Sequence, residues 1–110
     1  MKQEKIFAAF LTFYIFSIFF DFSLTYLKFK ENPREILLFE KNAYMKTLLM
    51  GEREKIIPIV LAQVPPLGFL LSFYYLSKIT NNSKVFKATI LCCLVLAAPH
   101  IYGGLSWYLV

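Results

Sequence analysis

Apolar residues run along this chain in three long blocks set apart by charged stretches. The blocks are residues 6–27, "IFAAFLTFYIFSIFFDFSLTYL", residues 56–76, "IIPIVLAQVPPLGFLLSFYYL", and residues 88–110, "ATILCCLVLAAPHIYGGLSWYLV". The first contains one charged residue, Asp21, and the others none apart from the titratable His100. Each block matches what a helix needs to cross a hydrocarbon core, about 20 apolar residues at about 1.5 Å of rise apiece. Lys5, Lys28, Lys55, Lys78 and Lys87 stand at the borders, where a long aliphatic stem can lie along apolar surface with its ammonium in water. Tyr74, Tyr75, Trp107 and Tyr108 fall near block ends, as aromatic belts at a membrane boundary do. A cleaved signal peptide is the rival reading of the first block. It is disfavoured because the apolar run is too long and no small-x-small cleavage site follows.

Between the first two blocks lies "KFKENPREILLFEKNAYMKTLLMGEREK", too long for a turn and too apolar for a solvated loop. Asn32 followed by Pro33 is a helix start, the asparagine accepting backbone N–H groups and the proline occupying a position that needs no donor. Gly51 is a stop. The predicted helix over 33–50 is not cleanly amphipathic, since Ile36, Leu37, Leu38, Phe39, Leu48, Leu49 and Met50 are spread around its wheel. The expected fold is therefore all-α: an integral membrane helical bundle of three transmembrane helices plus one juxtamembrane helix, forming a single domain over 1–110.

Composition strengthens this reading. Of 110 residues, 58% are hydrophobic and only 17% charged, against about a quarter charged in soluble domains. The net charge of +5 does not point to nucleic acid. The basic residues border the apolar blocks and alternate with Glu31, Glu35, Glu40, Glu52 and Glu54, a pattern that suits anionic lipid headgroups. Between the two ends of the bundle the count of Lys and Arg is seven for 28–55 against five for the N-terminus and the 77–87 turn. That excess favours a cytoplasmic long loop and an outside N-terminus in a multi-pass cell-membrane protein. The tripeptide Asn81-Asn82-Ser83 reads as a glycosylation sequon on the opposite side, in agreement. Cys92 and Cys93 are adjacent within an apolar block and read as buried thiols. Glycine-rich phosphate loops, HExxH and GxSxG are absent from the sequence, so no catalytic residue or metal site is assigned and an enzyme is the less favoured class.

What remains is the polar content of the blocks. Counted along ideal helices, Asp21 lies about 9 Å and Gln63 about 10 Å from the long-loop end, with His100 at about 15 Å. The three can meet at one level. Ser17, Asp21 and Thr25 recur every fourth residue and form one stripe, and Ala97, His100 and Gly104 share a face on which small residues allow close approach. Pro65, Pro66 and Pro99 are expected helix breaks, because proline cannot donate to the carbonyl four residues before it. Such breaks line cavities in membrane proteins. Intramembrane charges are costly and mark sites of use, whereas Asp21 and His100 serving as cross-helix hydrogen-bond partners is the purely structural alternative.

"DFSLTY" in the first block followed by "EKN" at 40–42 resembles an uncharacterised family of small prokaryotic multi-span membrane proteins, with Asp-x-x-x-Thr in the first span and then Glu-x-Asn-Pro. Asp21, Thr25, Glu40 and Asn42 match, while Ala43 stands where that family has proline and the interval is longer. The resemblance implies a three- or four-span fold and makes Glu40 and Asn42 juxtamembrane contacts of Asp21 if the middle helix folds back beneath the bundle. The chain is also similar in size to three-span haem-anchor subunits of quinone-linked dehydrogenases, which implies a haem contact at His100, although their other expected residues do not stand out; no cofactor is assigned from the residues themselves. A chain so small buries little between its own helices. The leading expectation is a non-enzymatic subunit or scaffold whose partners are the lipid bilayer and other membrane subunits or further copies of itself. A small transport or proton- or cation-conducting unit using Asp21 and His100 is the alternative.

Overall fold

A computed structural model describes residues 2–41 and 43–109, with Ala43 and Tyr44 described by their backbone alone. The described residues are helical, with turns and no strand. Six helices follow in order: α1 Lys2–Glu31, α2 Pro33–Phe39, α3 Ala43–Leu49, α4 Ile56–Leu61, α5 Val64–Thr80 and α6 Ser83–Leu109, with a 3₁₀ turn at Arg53–Lys55 before α4. Three helical stretches are long and apolar enough to cross a membrane: α1, the run Arg53–Thr80 that holds α4 and α5, and α6. At 30 residues α1 is about 45 Å long. It outruns a hydrocarbon core of about 30 Å at both ends, where its lysines and glutamates lie.

Helix α1 packs chiefly on α6, and α5 packs on α6. The buried positions follow helical spacing on each partner. On α1 they are Phe7, Tyr14, Ser17 and Thr25; on α6 they are Phe86, Thr89, Cys93, Ala97 and Gly104. Tyr14, Leu70, Cys93 and Ala97 form the centre of the core, flanked by Phe10, Ile15, Ile18, Leu67 and Leu96. Small residues on α6 let the backbones approach: a Cβ added to Gly104 would lie 3.1 Å from Asp21 Cα. The ends are tied as well. Lys78 Nζ donates to Glu4 Oε1 over 2.7 Å, and the Phe7 and Tyr74 rings stack with centroids 4.2 Å apart. The start of α1 and the end of α5 therefore share one end of the molecule, and α1 and α6 run in the same direction.

The turns are built by local chemistry. Asn81 takes φ 50°, in the left-handed region, and ends α5; Asn82 accepts from the N–H groups of Lys84 and Val85 and starts α6. Both asparagines of the sequon thus have structural work in a tight helix–helix turn. Asn32 caps α2, its Oδ1 accepting from Glu35 N while its Nδ2 donates to Glu35 Oε2. Gly51, at φ 102°, closes α3: its N–H reaches Leu48 O and that of Glu52 reaches Thr47 O. That crossed pair is the Schellman arrangement, which an L side chain at Gly51 would strain.

The expected single helix over 33–50 is instead two seven-residue helices. Glu40 leaves α2 with ψ 120°. The two halves have different targets: α2 packs against α1 through buried Ile36, whereas α3 packs against α4 and the 3₁₀ turn. On one straight helix Ile36 and Leu48 would point about 120° apart, so a break serves both contacts. The prolines also behave differently from one another. The second span is interrupted at Ala62 and Gln63, where Gln63 N bonds Val60 O, and Pro65 and Pro66 then sit in the first turn of α5, where donors are not needed. Pro99 was an expected break, yet α6 is continuous through it. It forgoes one backbone bond to Val95, which a long helix held by core contacts on both sides tolerates.

Candidate functional site

The stripe Ser17–Asp21–Thr25 and the face Ala97–His100–Gly104 lie on the two helices in greatest contact, and they meet. His100 Nδ1 is 3.2 Å from Asp21 Oδ2, with the ring nitrogen in position to donate. Both side chains are partly exposed, His100 26% and Asp21 32%. Engaging Nδ1 leaves Nε2 as the ring's acceptor in the neutral tautomer. Tyr14 meets the same imidazole edge-on at 6.1 Å. One turn further along, Trp107 Nε1 donates to Thr25 Oγ1 over 3.1 Å, and Tyr108 OH donates to Leu24 O over 3.4 Å. Lys28 lies over the Tyr108 ring at 5.2 Å. Ser17 turns its hydroxyl back to Tyr14 O, so it is satisfied within its own helix.

Gly103 has a particular part in this arrangement. A Cβ placed there would meet Asp21 Oδ1 at 3.2 Å and Oδ2 at 3.4 Å. Its absence lets the Asp21 carboxylate pack close against the α6 backbone. An open cavity of about 480 Å³ begins there. Asp21, Thr25, Gly103, Ser106 and Trp107 line its inner part, and Glu35, Phe39, Glu40, Lys41 and Met45 from the folded-back segment line its outer part. The connecting segment is thus turned beneath the α1–α6 pair, and Glu40 shares a cavity with Asp21 and Thr25. Asn42 lies outside the described residues.

Gln63 does not join this group. It is half-buried at the head of α5, its carbonyl accepts from Leu67 N, and its side chain makes no capping bond. It does not line the cavity, and no hydrogen bond joins it to Asp21 or His100 among the described residues. Depth alone placed the three polar residues at one level; the direction each helix faces separates them. The main partners of α4 are α3 and the 3₁₀ turn, while α5 takes α6, so Gln63 stands at the point where the second span changes partners.

Trp107, Gly103, Ser106, Glu35, Phe39, Lys41 and Met45 were missed as cavity residues by sequence reasoning. For the α6 residues a signal was present: His100, Gly103, Gly104 and Trp107 are spaced i, i+3, i+4, i+7 and share one helical face. Trp107 reads first as a boundary aromatic, and its bond to Thr25 spans 82 residues of sequence. As to haem, the chain's one histidine has its Nδ1 on a carboxylate, leaving Nε2 for an axial bond. A second axial histidine is absent from the sequence, and no cluster of three or more His, Cys, Asp or Glu suited to a metal ion occurs among the described residues.

The chain is thus an all-helical protein with three potential membrane-spanning helices and, at the end where its connecting segment folds back, a cavity lined by both charged and apolar side chains. Comparison with family models, curated proteins and solved structures finds no match to it. The resemblance carried by Asp21, Thr25, Glu40 and Asn42 therefore rests on those residues alone.

Proposed function

We propose that this protein is a multi-pass membrane protein acting as a non-enzymatic subunit of a larger or homo-oligomeric assembly. The observation that carries the reading is the second span. Only 6% of its most apolar window is buried, against 17% in α1 and 22% in α6. At its middle sits Gln63, whose side-chain amide has no hydrogen-bond partner within the described chain. Pro65 and Pro66 withdraw the donors that the carbonyls of Leu61 and Ala62 would otherwise receive. An amide facing hydrocarbon without a partner costs free energy, and a neighbouring helix is the usual supplier of one. The test is the mass of the protein in lipid nanodiscs prepared from native membranes, by native mass spectrometry. Assemblies of two or more chains, weakened by Gln63→Leu, are expected; a monodisperse single chain, unaltered by Gln63→Leu, refutes the reading.

The Asp21–His100 contact favours a second reading, a small proton- or cation-conducting unit. Two titratable groups 3.2 Å apart, with the carboxylate open to a cavity, have the parts of a relay. Asp21→Asn and His100→Ala would then abolish flux into reconstituted vesicles. Vesicles holding the native protein that are no leakier to protons or potassium than empty ones remove this reading.

A further inference from the structure

The cavity at the end of the α1–α6 pair has a built inner wall. The Asp21 carboxylate is held by His100 through Oδ2 and packs against Gly103, where an added Cβ would stand 3.2 Å from Oδ1, and both residues line the cavity. The Trp107 indole is fixed by its bond to Thr25. A carboxylate and an aromatic wall, both oriented in advance, are what an ammonium group requires: one supplies the charge and the other a negative ring face. Farther out the lining adds Glu35 and Glu40, with Phe39 and Met45 as apolar surface. Three carboxylates against one cation, Lys41, make the lining net acidic in a chain whose net charge is +5. The electrostatics of the cavity thus oppose those of the whole molecule.

We infer that this cavity binds an ammonium-bearing headgroup, with the ammonium between Asp21 and Trp107 and an adjoining phosphate turned outward to Lys41. A volume of about 480 Å³ lies within the range of about 300–1,000 Å³ typical of small-ligand sites. A phosphoethanolamine or phosphocholine unit has the required pair of charges on adjacent carbons of a short linker. Lys41 then faces the phosphate, and Asp21, already held by His100, faces the ammonium. The same chemistry is offered by a phospholipid headgroup and by the free phosphorylated amine. The cavity runs from Asp21, inside the first apolar block, to the charged segment at 35–41, so a headgroup can enter while its acyl chains stay alongside the helices. Entry from the lipid rests on the membrane reading above; capture of the free compound does not.

The full chain contains one tryptophan, so the emission of Trp107 reports on this cavity alone. The protein in phosphatidylglycerol nanodiscs is titrated with phosphoethanolamine and, separately, with glycerol 1-phosphate, which has the phosphate without the ammonium. A second preparation replaces part of the lipid with phosphatidylethanolamine. A saturable change in emission with phosphoethanolamine, and none with glycerol phosphate, is expected if the free compound binds. A change only in phosphatidylethanolamine discs assigns the lipid as the source. Asp21→Asn is expected to weaken either response about tenfold, the loss of one charge-assisted hydrogen bond. Should Asp21→Asn lose helicity by circular dichroism, Glu40→Gln and Lys41→Gln carry the comparison, the second weakening phosphoethanolamine but not ethylamine. Emission indifferent to both ammonium sources, or folded variants that titrate like the native protein, overturns the inference, whatever the assembly state proves to be.

Discussion

Glycine at 104 and glycine at 68 offer a direct measure of how closely the first and last helices are packed. Both lie inside helices, where replacing glycine by alanine removes backbone freedom from the unfolded chain and contributes about 1 kcal/mol of stability. Around Gly68 an added methyl meets nothing within 4 Å, so Gly68→Ala should show that gain undiminished. At Gly104 the methyl would stand 3.1 Å from Asp21 Cα and 3.2 Å from Leu24 Cδ1, inside the 3.4–4 Å of ordinary contact. The nearer obstacle is backbone and cannot rotate away, so the helices must separate, and overpacking of this kind costs about 1–3 kcal/mol. Because the propensity gain is common to both variants, their difference isolates the steric cost: Gly104→Ala should be about 1–3 kcal/mol less stable than Gly68→Ala. Equilibrium unfolding in mixed micelles, followed by circular dichroism and by Trp107 emission, measures both. Equal stability of the two variants, within about 0.5 kcal/mol, refutes the close approach of α1 and α6.

Thr25→Val keeps the shape of a buried side chain and removes the acceptor for the Trp107 N–H; a loss of about 1 kcal/mol and a shifted emission maximum are expected, with far-UV circular dichroism unchanged. Asn82→Ala removes the acceptor for the N–H groups of Lys84 and Val85, and should cost about 1 kcal/mol and speed amide exchange at the start of α6. Gly51→Ala forces an L side chain to φ 102°, with an expected cost of about 1–3 kcal/mol borne by α3 and the 3₁₀ turn, visible as faster exchange at residues 48–52 while the α1–α6 core keeps its protection.

The three long helices were legible because a span is specified by composition and length, which any window of sequence displays. The caps at Asn32, Gly51 and Asn82 were available for a similar reason, each depending on the few residues beside it; of these, Asn82 was read only as part of a sequon. The meeting of Asp21 with His100 could be anticipated because each lies in a stripe at helical spacing, and two such polar stripes in apolar helices have strong reason to face one another. Where the outcome depended on which neighbour a helix would choose, local pattern failed. The break at Glu40 answers to two separate packing targets, α1 for Ile36 and α4 for α3. Gln63 parted from Asp21 because α4 and α5 lean on different helices, a fact with no trace in depth along the chain. Pro99 carries the same local warning as Pro65 and Pro66, yet only the second span is interrupted, since the long contact of α6 with α1 and α5 keeps it helical through the missing bond.

The parallel pairing of α1 with α6 sets an order of events during synthesis. The bonds that define the cavity wall join residues 79 and 82 positions apart, and every one needs a partner from α6. While the ribosome is still adding the second span, Asp21 has neither His100 nor a covered backbone, and the first helix waits in whatever surroundings receive it. A chain arrested before Ser83 should therefore be held by a chaperone and cleared by proteases, and release should coincide with the arrival of α6. The pair closes like a clasp, α1 meeting its partner only once α6 has been made.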